Sequence, residues 1–160
     1  MGAPVDTGNL MIDAQTAFAR QRRRLRRERA LGWLLRRSSR STRLASLDQV
    51  MGADAPARRC ALGLQAIPLA SVVGTAESSK AHSFDGEFRP PSSSRRRWEG
   101  LWVAGRRGAA LPPISVFRVG DQHYVGDGHH RVSVARSLGM VAIDAEVTEL
   151  VTAPLPGCGA

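Results

Sequence analysis

Six consecutive residues, Gly126-Asp127-Gly128-His129-His130-Arg131, bring a small acid, glycines and cation-forming side chains together at the start of a helical pattern. Such a segment can form an anion-binding turn. The free backbone N–H groups of Gly128 to Arg131 would point to a ligand at the helix N-terminus. The guanidinium fork of Arg131 suits phosphate oxygens. Asp127 could cap the helix or, with ligand present, hold a divalent metal. A plainer reading stays open, with Asp127 only an N-cap, Gly128 a turn residue, and Arg131 a partner of Asp127 or Asp144. A histidine metal site built from His123, His129 and His130 is disfavoured, because adjacent histidines point apart on a helix.

The elements that must position this turn lie on either side of it. Ile114 to Val119 reads as a strand behind Pro112-Pro113, Gly120-Asp121 as a tight turn, and His123-Tyr124-Val125 as the hairpin partner. A helix follows from about His129 to Leu138, closed by Gly139, and Val141 to Val147 is a further strand. At about 100° per residue, Val132, Val134, Ala135 and Leu138 define the buried face, with Arg131 near its centre. His130 falls on the flank, and His129, Ser133 and Arg136 lie opposite. An arginine aimed at a core needs a partner. It meets either an internal carboxylate or a ligand anion at the sheet's rim.

Upstream the signals are weaker. Leu64 to Leu69 reads as a strand with a proline near its end, followed by Val72-Val73-Gly74. Thr75 to Ser94 is polar and reads as a loop. Arg95 to Arg107 returns to helical spacing through Trp98, Leu101 and Trp102, which reads as core packing. Arg95, Arg96 and Arg97 at that helix's start oppose its dipole, a hint that they meet an anion. A short helix is expected from Ser46 to Met51, with Ser46 as N-cap.

The charge is uneven. Residues 1–61 hold 13 Arg against 5 acids, whereas residues 62–160 hold 10 basic and 9 acidic residues, so the net +9 belongs to the N-terminal part. From about Ile12 to Arg37 the chain reads as a helix, with Ala14, Phe18, Leu25, Leu31, Leu34 and Leu35 as a loose apolar stripe among arginines. Arg22, Arg23, Arg24, Arg26 and Arg27 are candidates for phosphate contacts on nucleic acid. An anionic membrane surface or a solvated face are the alternatives. Residues 1–9 are expected to be loose, and Ser38 to Thr42 to end the helix. No apolar run reaches about 18 residues, and no secretory signal is read at Met1 to Asn9. Cys60 and Cys158 have no metal-type spacing and read as free thiols, so a cytoplasmic location is expected.

The segment LPPISVFRVGDQHYVGDGHHRVSVARSLGMVAIDAEV (Leu111 to Val147) resembles the ParB N-terminal/sulfiredoxin-like superfamily. Ile67 to Gly74 resembles its first strand and Arg95 to Gly108 the helix before its Pro-Ile strand. The resemblance implies an α+β fold, a small mixed sheet with packed helices, over residues 63–150. A basic helical extension (1–62) would precede it and a loose tail (151–160) would follow. It also implies a nucleoside triphosphate, CTP or ATP with Mg²⁺, at Gly126, Asp127, Gly128, His129, His130 and Arg131, with the metal on Asp127. Asp127 and His130 are the candidate catalytic residues. Sulfiredoxins place a catalytic Cys just before the His-Arg of the turn, where this chain has His129, so that chemistry is excluded. Partition proteins carry Gly-Glu-Arg-Arg there and a DNA-binding domain afterwards. Only residues 151–160 follow here, so partition-type site recognition is not expected. Free-serine kinases have a similar Asp-Gly-His-x-Arg turn, matched by Asp127, Gly128, His129 and Arg131. This likeness implies that Asp127 and His129 or His130 would act on metal and phosphate, while a carboxylate near the first strand, Glu77 being the nearest, would deprotonate the acceptor. The layout as a whole resembles small actinobacterial ParB-like proteins. The expected role is nucleotide binding with a DNA-associated or regulatory function, or else phosphotransfer to a small molecule, or an interaction protein with a vestigial site.

Overall fold

The computed structural model describes residues 6–34, 43–52 and 57–152. Leu35 to Thr42, Cys158 and the expected tail from 153 onward lie outside the described residues. Thirteen short or long elements follow one another: α1 (Leu10–Leu34), β1 (Ala45–Ser46), α2 (Leu47–Met51), β2 (Ala57–Pro68), a 3-10 turn (Leu69–Ser71), β3 (Val72–Thr75), α3 (Ser78–Ser83), a second 3-10 turn (Ser92–Ser94), α4 (Arg95–Arg106), β4 (Ile114–Val119), β5 (Gln122–Asp127), α5 (His129–Ser137) and β6 (Ala142–Thr152). The fold is α+β, as expected: a six-stranded mixed sheet in the order β1-β3-β5-β4-β6-β2 with helices packed on it. The β1–β3, β3–β5 and β4–β6 pairs are parallel, and β4–β5 and β2–β6 are antiparallel.

The period-two pattern of β4 and β5 sorts side chains onto the two faces of the sheet. Ile114, Val116 and Val125 join Val132 and Ala135 of α5 in the main core. Tyr124, Phe117 and Val119 face the other way, toward Leu47, Met51 and Leu150. A third cluster joins helix to helix: Ala14 and Phe18 of α1, Trp98 and Trp102 of α4, and Val134 of α5. Phe18 meets the Trp98 ring edge-on at 5.5 Å. Truncating so large a buried ring costs about 3–5 kcal/mol. Trp98 and Trp102 are therefore core residues.

Helix α1 begins where polar residues satisfy its first N–H groups. Asn9 Oδ1 accepts from the Met11 and Ile12 backbone N–H at 3.0 and 3.4 Å. Thr7 donates to Asp13 Oδ1 at 2.8 Å. Residues 6–9 thus form a cap, not the loose segment expected. The apolar stripe is also shorter than expected. Ala14, Phe18 and Leu25 are buried, but Leu31 and Leu34 are exposed and Trp33 is 83% exposed. Beyond Leu25 the helix buries no further apolar side chain among the described residues, although Glu28 still pairs with Arg89.

Two other expectations need correction, and a third holds. Residues 75–94, expected to be a loop, hold α3 and a 3-10 turn. Strand β2 begins at Ala57, so the expected boundary at 62/63 falls inside it, at the register shift between Ala61 and Gly63. Ser46 does stand at the N-cap position of α2, without a side-chain cap bond.

Candidate functional site at the start of α5

Gly126 and Asp127 end strand β5, and the turn itself is one residue, Gly128. Gly128 has φ 103°, and a Cβ placed there would run into the Ile114 side chain. Only glycine joins β5 to α5 this way. Asp127 does not cap the helix, which begins with no side-chain cap bond at all. Its Oδ2 instead receives Arg131 Nη2 at 2.5 Å. Arg131 Nη1 donates to the Pro112 carbonyl at 2.7 Å and to that of Pro113. The first-turn N–H groups of α5, which carry partial positive charge, are therefore left without a competing carboxylate.

The helical wheel misplaced the face opposite the core. His129, expected on the outside, is buried, and so is Ser133. The reason is that α5 is covered beyond the sheet, by α4 over Ser133 and by Phe84 and Phe88 of the segment after α3 over His129. Ser133 accepts the indole N–H of Trp98 at 2.9 Å. His129 Nε2 lies 2.8 Å from Thr75 Oγ1. Its ring packs at 5.5 Å from Phe84 and 6.3 Å from Phe88. Burial lowers its pKa to about 4, against the upward pull of Glu77 and Asp127. His130 is also lowered to about 4, by burial and then by the positive charges of Arg97 and Lys80. Its ring stands edge-on to Phe84 at 5.1 Å, and its Nε2 is buried with no partner. Both imidazoles are therefore neutral at neutral pH.

The site assembles around the carboxyl ends of two parallel strands. β3 ends at Thr75 and β5 at Asp127, and Thr75 pairs in register with Val125. Each strand is followed by a helix, α3 or α5, and crevices at such strand ends are where α/β sheets take ligands. Glu77 is exposed and accepts from Ser79 Oγ at 2.8 Å. The charges of Glu77, Lys80 and Asp127 all bear on His129. Lys80, Arg97 and Thr75 were not singled out as site residues, because they reach the turn from far away in the chain, Thr75 from 54 residues before His129. The dipole-opposing charge at the start of α4 was the one signal for Arg97. Its neighbour Arg95 has a simpler role, donating to the buried Glu99 at 2.6 Å.

Elsewhere the expected groups stand apart. His123 Nδ1 lies 2.9 Å from Ser71 Oγ, away from the turn, so the three histidines are not brought together. Among the described residues no three His, Cys, Asp or Glu side chains are placed to share a metal. Asp144 is exposed on β6, and Arg131 is bound to Asp127 instead. That carboxylate is 76% exposed, so Arg131 is not neutralised by an internal acid. On α1, Arg23, Arg24, Arg26 and Arg27 are exposed and Arg22 is half-buried. Arg24 pairs with Glu28 at 3.3 Å. Cys60 is an exposed free thiol. No helix among the described residues is long and apolar enough to cross a membrane. A cleft of about 620 Å³ lies at the other end of α5, and none of residues 126–131 lines it.

No protein-family model matches the chain, and no curated protein matches it. Among solved structures, a sulfiredoxin from Arabidopsis thaliana is similar at a TM-score of 0.40 and 19% identity, over 52% of this chain and 82% of that one.

Proposed function

We propose that this chain is a phosphate-binding module of the ParB/sulfiredoxin-like type that takes a nucleoside triphosphate, CTP or ATP, at Gly126 to Arg131. The observation that carries this reading is the uncapped start of α5 at the ends of two parallel strands, with Lys80, Arg97 and Arg131 gathered about it. Backbone N–H groups of His129 to Arg131 would hold phosphate oxygens, and Gly128 lets them approach. Arg131, braced by the two proline carbonyls, would neutralise charge from the side. Asp127 suits Mg²⁺, since its carboxylate is 76% exposed although its Oδ2 is engaged by Arg131. One carboxylate beside substrate phosphates is how that ion is commonly held. Bound Mg²⁺ would offset the negative charge of the phosphates. The exposed arginines of α1 would contact nucleic-acid phosphates and give a DNA-associated role.

The test is calorimetry with CTP, ATP, ADP and GTP in Mg²⁺, on the wild type and on Asp127→Ala and Arg131→Ala. Saturable binding is expected, weakened about tenfold or more in Arg131→Ala, the scale of a lost charged hydrogen bond. Circular dichroism checks that the variants stay folded. Absence of binding to all four nucleotides would sink the reading.

A phosphotransferase is favoured by one observation: Glu77 and Asp127 both lie close enough to His129 for their charges to act on it. Glu77 would take the proton of an acceptor hydroxyl while that oxygen attacks the γ-phosphorus and the nucleoside diphosphate leaves. Product analysis with labelled nucleotide separates this reading from simple binding. Transfer abolished in Glu77→Gln, with binding intact, would establish it.

A further inference from the structure

The cleft at the C-terminal end of α5 is walled by α1, by the end of α4 and by the loop that carries Glu87 and Arg89. Its lining is charged. Five arginines, among them Arg24, Arg89 and Arg106, face two carboxylates, Asp13 and Glu87. At about 620 Å³ it is in the size range that holds small molecules.

Four polar atoms of this wall are not satisfied within the protein. Five buried side-chain atoms among the described residues lack a hydrogen-bond partner, and four belong to residues lining the cleft: Asp13 Oδ2, Gln21 Oε1, Arg89 Nη1 and Trp102 Nε1. Buried polar groups are nearly always paired, so four in one wall require an explanation. Asp13, Arg89 and Trp102 are 2%, 7% and 4% exposed. Arg89 keeps one nitrogen unpaired although it binds Glu28 at 2.5 Å and Asp85 at 3.4 Å. Donors stand on the α4 and loop side, acceptors on the α1 side. These atoms are shut off from bulk water, so a ligand's polar groups meet them only after small side-chain shifts in the cleft floor.

We infer that this cleft is a second binding site, for a small organic oxyanion. Its phosphate or carboxylate meets Arg89 and the Trp102 indole N–H, and an N–H or O–H group at its other end meets Asp13 and Gln21. The net positive lining selects the anion. The unpaired carboxylate oxygen of Asp13 selects a donor, best an ammonium. The site is independent of the one at the start of α5. The two are separated by the nine-residue helix, about 13 Å of rise.

Titration of Trp fluorescence in a Trp33→Phe background reads the site through Trp102 and its neighbour Trp98, the two tryptophans that remain, with inorganic phosphate, citrate and phosphoethanolamine as probes. Saturable binding is expected, tightest for phosphoethanolamine, which alone offers both an anion and an ammonium. Arg89→Gln should weaken it about tenfold. Because Arg89 also ties α1 to the loop, Arg106→Glu provides a variant that leaves those pairs intact. Its guanidinium lies 5.7 Å over the Trp102 ring at the rim, and reversing its charge should weaken every probe. Asp127→Ala should change nothing here, which separates this site from the nucleotide site whatever the fate of the latter. No saturable binding, or equal binding by wild type and Arg106→Glu, would overturn the inference. Equal affinity for phosphate and phosphoethanolamine would overturn the part assigned to Asp13 and Gln21.

Discussion

The two ends of α5 solve the problem of a polar helix terminus in opposite ways. At the C-terminal end the backbone closes on itself. Met140 N–H donates to Ala135 and Gly139 N–H to Arg136, at 3.0 and 3.1 Å, with Gly139 at φ 72°. That is the Schellman arrangement, and it leaves the last carbonyls occupied. What stays unpaired there belongs to side chains of the surrounding wall. At the N-terminal end the side chains are engaged and the backbone is not. Arg131 is bound on three sides, His129 is held by Thr75, and no side chain caps the first turn. A site that uses backbone donors is fixed by chain geometry and resists side-chain change. A site that uses side-chain donors is open to it.

The glycines at the two ends test this contrast most strongly. Gly128→Ala meets both a left-handed backbone and the Ile114 side chain, so a loss of about 3 kcal/mol or more in urea unfolding is expected. A loss under about 1 kcal/mol would mean that the β5–α5 joint can reshape. Next in size is the acid response of His129. Its folded pKa of about 4 lies below the ordinary 6.5, so the unfolded chain takes up a proton first as pH falls. Its contribution is complete above about pH 6.5 and is lost on descending to about pH 4, on the order of 2–3 kcal/mol. His130 acts in the same direction but is more exposed, so solvent screening reduces its part. Urea titrations from pH 7 to 4 should fall less steeply in His129→Gln than in wild type, and identical slopes would contradict a buried neutral imidazole.

Gly139→Ala has open space for its Cβ and pays only for the backbone, about 1–2 kcal/mol. A loss as large as that of Gly128→Ala would erase the distinction between the two ends. Smallest is Leu31→Ser on the part of α1 beyond the core, where a change within about 0.5 kcal/mol is expected. A thermal shift of several degrees there would show that this segment packs against something.

The hairpin of β4 and β5, the helix α5 and its closing glycine could be read directly, since each has a local signature of turn residues or spacing. The Trp98 and Trp102 pair was legible for the same reason. Helix α3 was not, because Ser-Ser-Lys-Ala-His-Ser is short and polar and has no periodicity to detect. The start of β2 was hidden by Arg58 and Arg59, which resemble a basic arm more than an edge strand. In the site itself the glycine, the acid and the arginine were found, but their roles depended on distant groups. That Arg131 would be held by the carbonyls of Pro112 and Pro113 was not written in the turn. The burial of His129 followed from Thr75 and from Phe84 and Phe88 of the segment after α3, which a single-face wheel cannot anticipate.

Strand β2 leaves twelve residues of backbone along one margin of the sheet, the kind of border on which a second chain could add a strand. Its register is broken next to Gly63, which sits at φ 76°, and the strand ends in Pro68. Arg58 and Arg59 put like charges along the first half. A copy approaching in parallel or antiparallel alignment would meet a kink, a missing donor and repulsion within one strand length. The interrupted margin thus protects the molecule against edge-to-edge strand addition, and deleting Leu62 would straighten the kink while leaving Pro68 and the two arginines in place.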